Sequence, residues 1–235
     1  MNKLITIDAG HGGNDPGAVG NGLQEKNIVL NLALRLGKLL SSRGIEVFYT
    51  RNIDIKVELA DRAKIANDKR TDLFISLHCN AAASPSAAGI ETLVHNMNSS
   101  SADIAIIVQR ELITRTNMVD RGVKPRPDLA VLRLSNMPAI LIELGFISNA
   151  GDASKLKSDT FLDCCALAIS ETVCKHFKMP NIHEQPIGIS NWAIEPRKWC
   201  VENGISDGTR AKDNITREEA WTMLYNFNKK FPSRS

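Results

Sequence analysis

Residues 4–13 read Leu4-Ile5-Thr6-Ile7-Asp8-Ala9-Gly10-His11-Gly12-Gly13, an apolar run that stops in a glycine-rich turn around one histidine. Leu4 to Ile7 have the composition of a buried strand, and Gly10, Gly12 and Gly13 allow a tight turn that something can approach closely. The following stretch, Glu25 to Gly44, places Ile28, Leu32, Leu36, Leu39 and Leu40 at helical spacing and stops at a glycine. A strand, a turn and a helix in that order predict an α/β fold.

The pattern repeats outward from there. Residues 45–50, 72–78, 89–95 and 139–144 read as strands, and 57–68, 103–113 and 159–177 as helices. The expected architecture is α/β, with a mostly parallel twisted sheet flanked by helices. Such sheets place their sites beyond the carboxyl ends of the strands. His11 follows the first strand, His78 ends the strand 72–78, Glu25 opens the first long helix, and Glu143 ends the run Pro138 to Glu143. Four polar groups are thereby expected at one rim.

Each has a quieter reading. The turn could cradle a phosphate, although "GHGGNDPG" lacks the spacing of a dinucleotide loop. The histidines could be ordinary surface groups, Glu25 could complement the positive helix end, and Glu143 could pair with Arg51 or Arg62. Taken together, two His and one Glu match the donor set of a catalytic zinc site with an open position.

Composition narrows the classes. With 235 residues and 43% hydrophobic content, the chain has room for one well-cored domain and a small appendage. Its 29 basic and 26 acidic residues, net charge +3, argue against nucleic acid as a partner. The sequence has no run of 18 apolar residues and no signal-type hydrophobic start, so the expectation is no membrane span and synthesis in the cytoplasm without a signal peptide. Cys79, Cys164, Cys165, Cys174 and Cys200 are odd in number and lack C-x-x-C spacing, which predicts buried free thiols. His95, His176 and His183 are expected in structural or solvent roles. Residues 117–134 carry basic side chains among prolines just before the Glu143 strand, and read equally as a groove lining or a solvated loop.

After Phe177 the organisation changes. Residues 178–190 hold prolines and little periodicity, as a linker does. Residues 191–235 read as a small helical domain of two short helices around a Gly/Asp turn, with Thr216 and Glu219 as a capping box for the second. All three tryptophans, Trp192, Trp199 and Trp221, fall in this segment.

The motifs "IDAGHGGNDPGA", "QEKNIVLNLALRL", "DLFISLHCNAA" and "VLRLSNMPAILIELGFISN" resemble those of the zinc-dependent N-acetylmuramoyl-L-alanine amidases, in order and over residues 1–177. The resemblance implies Zn2+ held by His11, Glu25 and His78, with Glu143 as the catalytic carboxylate. It further implies that the substrate is bacterial peptidoglycan, cut between the lactyl group of N-acetylmuramic acid and L-alanine. A zinc peptidase cutting within the stem or cross-link would use the same chemistry. The tail resembles one S-layer homology motif through "WA", "ENGISDGT" and "ITREEA". By position, Trp192 and Arg217 would there contact a secondary cell-wall polymer, with self-association into a homo-oligomer as a further expectation. The whole resembles a phage endolysin acting on the wall after release; a host lytic enzyme would look the same.

Overall fold

The computed structural model describes residues 3–179, 194–205 and 217–231. The chain divides into two compact units, Met1–Met179 and Pro180–Ser235.

The first unit is built on strands β1 (Leu4–Ala9), β4 (Glu46–Tyr49), β5 (Leu73–Asn80), β6 (Ile90–Val94), β7 (Asp120–Pro125) and β8 (Ala139–Phe146). They form one sheet in the order β4-β1-β5-β8-β6-β7. Every pairing is parallel except β6 with β8, so the expected mostly parallel sheet is present with one antiparallel junction. A two-stranded hairpin of β2 (Val19–Gly20) and β3 (Leu23–Gln24) bridges the first turn to helix α1 (Glu25–Ser41).

The two faces of the sheet are unequal. Ile5, Ile7, Ile75, Leu77, Ile140 and Ile142 are fully buried with residues of α1, of α3 (Ser100–Thr116) and of α6 (Asp159–His176) in the main core. The opposite face carries a smaller cluster, Phe74, Leu93 and Leu141, capped by Ala66 of α2 (Leu59–Lys69) and by Val131 and Leu132 of α4 (Ala130–Arg133). Because side chains alternate along a strand, the residues that follow on this thinner face are polar: Ser76 and His78 on β5, Glu143 on β8 and Glu91 on β6. The apolar layer stops short of the strand ends and leaves a polar strip there.

Two expectations change. Residues 117–134 contain the edge strand β7 and the short helix α4. β7 carries Gly122, Pro125 and charged side chains, which suit a sheet edge and conceal it from a pattern search. Strand β8 also continues past Glu143 to Phe146, so Glu143 lies within the strand. Helix α5 (Ala150–Leu156), capped by the Asn149 side chain, was not evident from periodicity. The five cysteines are free; Cys79, Cys165 and Cys174 are buried, Cys164 and Cys200 only half so.

The second unit contains helices α7 (Ile194–Glu202) and α8 (Arg217–Lys230). Trp199 of α7 stacks on Phe231 with ring centroids 5.3 Å apart, and Phe227 lies tilted against both. Of the proposed linker, Lys178 and Met179 are described and Met179 packs against the core of the first unit; residues 180–190, His183 among them, lie outside the described residues with Trp192 and Thr216 of the capping box, as do the side chains of Arg217 and Glu219.

Candidate active site

The first turn is held by arginines. Arg51 donates to the carbonyls of Ala9, Gly10, Lys26 and Ile53, and Arg62 of α2 donates to those of Ala9 and His11. Arg62 also pairs with Asp8 at 2.8 Å, both side chains being essentially excluded from water. Thr50 and Ser76 donate to the same carboxylate at 2.6 Å, and these donors, with Arg62, hold Asp8 below the usual carboxylate range despite burial. Neither arginine is free to pair with Glu143. The backbone so clamped puts His11 at φ 59° and Gly12 at φ 126°, conformations that only a well-supported turn sustains.

Glu25 is the centre of the site. As the first residue of α1 it is buried, yet all four of its partners are donors at the strand ends. Oε2 accepts from the backbone N–H of Ala18 at 2.8 Å and lies 3.2 Å from His11 Nε2; Oε1 accepts from the Cys79 N–H and lies 2.9 Å from His78 Nδ1. His11 Nδ1 is engaged by Asp15 at 2.9 Å, which leaves Nε2 as the nitrogen aimed at Glu25. The His11 and His78 rings meet edge to face with centroids 5.0 Å apart. Burial alone would discharge these groups, but mutual pairing overrides it. Glu25 is held well below the ordinary carboxylate range, His78 is raised, and His11 is pushed up to about 9.

Glu143 completes the strip. It is the direct cross-strand partner of His78 on one side and of Glu91 on the other. Its Oε2 is buried without a hydrogen-bond partner. Desolvation, with the Glu25 and Glu91 charges nearby, raises it to about 7 against the opposing pull of His78.

Among the described residues, one group of His, Cys, Asp and Glu is disposed to hold a metal ion: His11, Glu25 and His78, whose donor atoms all lie within 4.8 Å of one another. The donor chemistry fits zinc, which takes imidazole nitrogen and carboxylate oxygen and leaves a position open in catalytic sites. Asp15 on the far nitrogen of His11 is the outer-shell partner that metal-binding histidines commonly have. The packing fits as well: a Cβ at Gly10 would come within 2.3 Å of the His78 ring, and one at Gly17 within 2.6 Å of Glu25 Oε2.

Sequence reading did not single out Asp8, Asp15 or Glu91. Asp8 had a signal, a lone charge between Ile7 and Ala9 in a strand headed for burial, which demands a counter-charge. His95 follows β6 with Nδ1 buried and without a hydrogen-bond partner, and His176 packs edge to face on Phe177.

Histidines and a carboxylate that converge like this beside an unpaired carboxylate of raised pKa are suited to metal-assisted hydrolysis. The chain belongs to the N-acetylmuramoyl-L-alanine amidase family, Amidase_3, whose profile matches residues 5–175. It is 40% identical over 184 residues to the endolysin of Bacillus phage SPP1, covering 74% of this chain and 66% of that protein. It is 39% identical over 165 residues to a sporulation-specific N-acetylmuramoyl-L-alanine amidase of Bacillus subtilis, covering 69% and 63%. The chain thus spans a little under two thirds of these relatives' length. Among solved structures, an N-acetylmuramoyl-L-alanine amidase from Clostridium difficile 630 superposes with TM-score 0.72 at 34% identity, covering 75% of this chain and 97% of that one. The catalytic domain of CwlV from Bacillus (Paenibacillus) polymyxa var. colistinus does so with TM-score 0.72 at 32% identity, covering 76% and 99%.

Proposed function

We propose that this protein hydrolyses peptidoglycan at the amide between the lactyl group of N-acetylmuramic acid and L-alanine, with His11, Glu25 and His78 holding zinc and Glu143 as the catalytic carboxylate. The observation that carries the reading is the placement of Glu143, an unpartnered carboxylate in register with His78 beside the His–Glu–His group. Family membership supplies the class of bond.

When bound, zinc polarises a carbonyl as a Lewis acid and acidifies water. The remaining work falls to the chain. Glu143, in register with His78 and with its Oε2 free of any hydrogen-bond partner, accepts a proton from the attacking water. It then delivers that proton to the alanine nitrogen as the carbon–nitrogen bond breaks, so the products are a lactyl carboxylate and a free amino end. Arg51, Arg62 and Asp15 act earlier, by fixing the His11 turn.

Residues 1–177 form the catalytic domain, 178–190 the linker and 191–235 a wall-binding or self-associating tail, in which Trp192 and Arg217 contact a secondary cell-wall polymer. The endolysin among the relatives supports a role in wall lysis after release from the cytoplasm. Digested peptidoglycan analysed by mass spectrometry tests the bond. New lactyl carboxyl and L-alanine amino ends are expected; ends within the stem peptide would make the protein a zinc peptidase instead.

A further inference from the structure

The row that holds His78 and Glu143 continues through Glu91 to the edge strand β7. Glu91 is an over-subscribed anion. Its Oε2 accepts from both Arg121 Nε at 2.9 Å and Lys124 Nζ at 2.5 Å, while Oε1 accepts from Asn80 at 2.8 Å. Two cations therefore share one carboxylate oxygen, and the cluster keeps a surplus positive charge. Both cations reach water, with side-chain exposures of 33% and 43%. Arg121 is also seated over the Phe146 ring at 4.8 Å, so its guanidinium is held in place by a carboxylate and an aromatic face.

The opposite flank of the site differs. Around residues 51–59 the lysines are paired one to one: Lys26 with Asp54 at 2.7 Å, and Lys56 with Glu58 at 2.6 Å, while Arg51 is buried and spent on backbone carbonyls. Ile53, Ile55 and Leu59 stand exposed there. Arg126, beyond β7, likewise has Asp128 to itself. Arg121 and Lys124 are two water-accessible cations on a single anion, Glu91, which is itself the cross-strand partner of Glu143.

We propose that Arg121 and Lys124 form a subsite for a carboxylate of the substrate's peptide, so that the stem runs from Glu143 toward β7 and the sugar lies on the side of residues 51–59. The inference rests on the amidase reading and deepens it. A preformed guanidinium beside an ammonium offers charge-assisted hydrogen bonds to a carboxylate, and an uncharged amide in its place forfeits the charge.

The test compares two soluble substrates, N-acetylmuramoyl-L-alanyl-D-glutamate capped as its γ-methylamide and the same compound with its α-carboxyl as a carboxamide, which differ by the one peptide carboxylate. The zinc-loaded full-length protein is expected to favour the acid in kcat/KM by about tenfold, the scale of one charge-assisted hydrogen bond, chiefly through KM. Arg121→Ala and Lys124→Ala should each shrink that ratio, and the double variant should bring it near one. Arg121→Lys, keeping the charge without the fork, should fall between. A ratio near one in the unmodified protein, or one unchanged in the double variant, overturns the subsite. Failure to cut either compound at the lactyl amide would instead overturn the amidase reading beneath it.

Discussion

At the scale of single residues, the site is a balance between burial and pairing. Glu143 and Glu25 are both carboxylates in a desolvated strip, yet they are driven in opposite directions. Glu25 has four donors around it, whereas the Oε2 of Glu143 has none. Glu143→Gln keeps the shape but cannot carry a proton, so it should retain zinc while losing at least about a hundredfold in turnover. Loss of zinc along with activity, read by metal analysis, would make Glu143 a ligand or structural charge. A second expectation concerns pH. Without metal, Glu143 is raised from 4.5 to about 7 and His11 from 6.5 to about 9, so the folded chain binds more protons than the unfolded one. The stability these groups contribute is complete below their unfolded values and lost as pH rises through the folded ones. Chelated protein should therefore melt at progressively lower temperature from pH 4.5 to about 9. Zinc should counter the trend, because its ligands bind it deprotonated. A chelated protein whose melting temperature climbs over that range would contradict these protonation states.

At the scale of elements, the rim that carries the candidate site is supported from α2 through a buried ion pair. Arg62 reaches from α2 to Asp8 of β1 and on to the His11 carbonyl, so one side chain ties a helix, a strand and the His11 turn. Arg62→Met should leave Asp8 buried without its counter-charge and cost about 3–5 kcal/mol in denaturant unfolding. Part of that loss should return in the Asp8→Asn/Arg62→Met double variant, and no recovery would show that the arginine acts mainly through the turn carbonyls. Little of this support was legible in the sequence. The alternation of apolar runs revealed β1, β5 and β8, and thereby the rim where His11, Glu25 and His78 meet. Arg51 and Arg62, however, read in the sequence only as partners for Glu143, because the carbonyls of the His11 turn and the buried Asp8 that they bind are brought to them only by the fold. β7 was hidden for a related reason: an edge strand needs hydrogen bonding on one side only and tolerates Pro125 and charge, so it lacks an apolar signature.

At the scale of the whole molecule, the chain divides at Met179, and the candidate site lies wholly in the first unit. The first unit contains the donor group and Glu143, together with a continuous core under the main face of the sheet. The second has two helices with Trp199, Phe227 and Phe231 in mutual contact, while Trp221, Leu224 and Tyr225 on α8 are more than 60% exposed. That exposure suits a role in contact with something else. Residues 181–235 hold eight Lys/Arg and seven Asp/Glu, so net charge alone would not hold a polyanionic wall polymer. Aromatic faces on sugar rings and an arginine fork on an anionic substituent are the available chemistry. A chain truncated after Met179 should thus cleave soluble muropeptide at the rate of the full protein while sedimenting poorly with cell walls. Arg217→Ala in the full chain should weaken sedimentation without changing that rate. Should the truncated protein sediment with walls as well as the full chain does, the tail serves stability or assembly, and wall recognition resides in the catalytic unit.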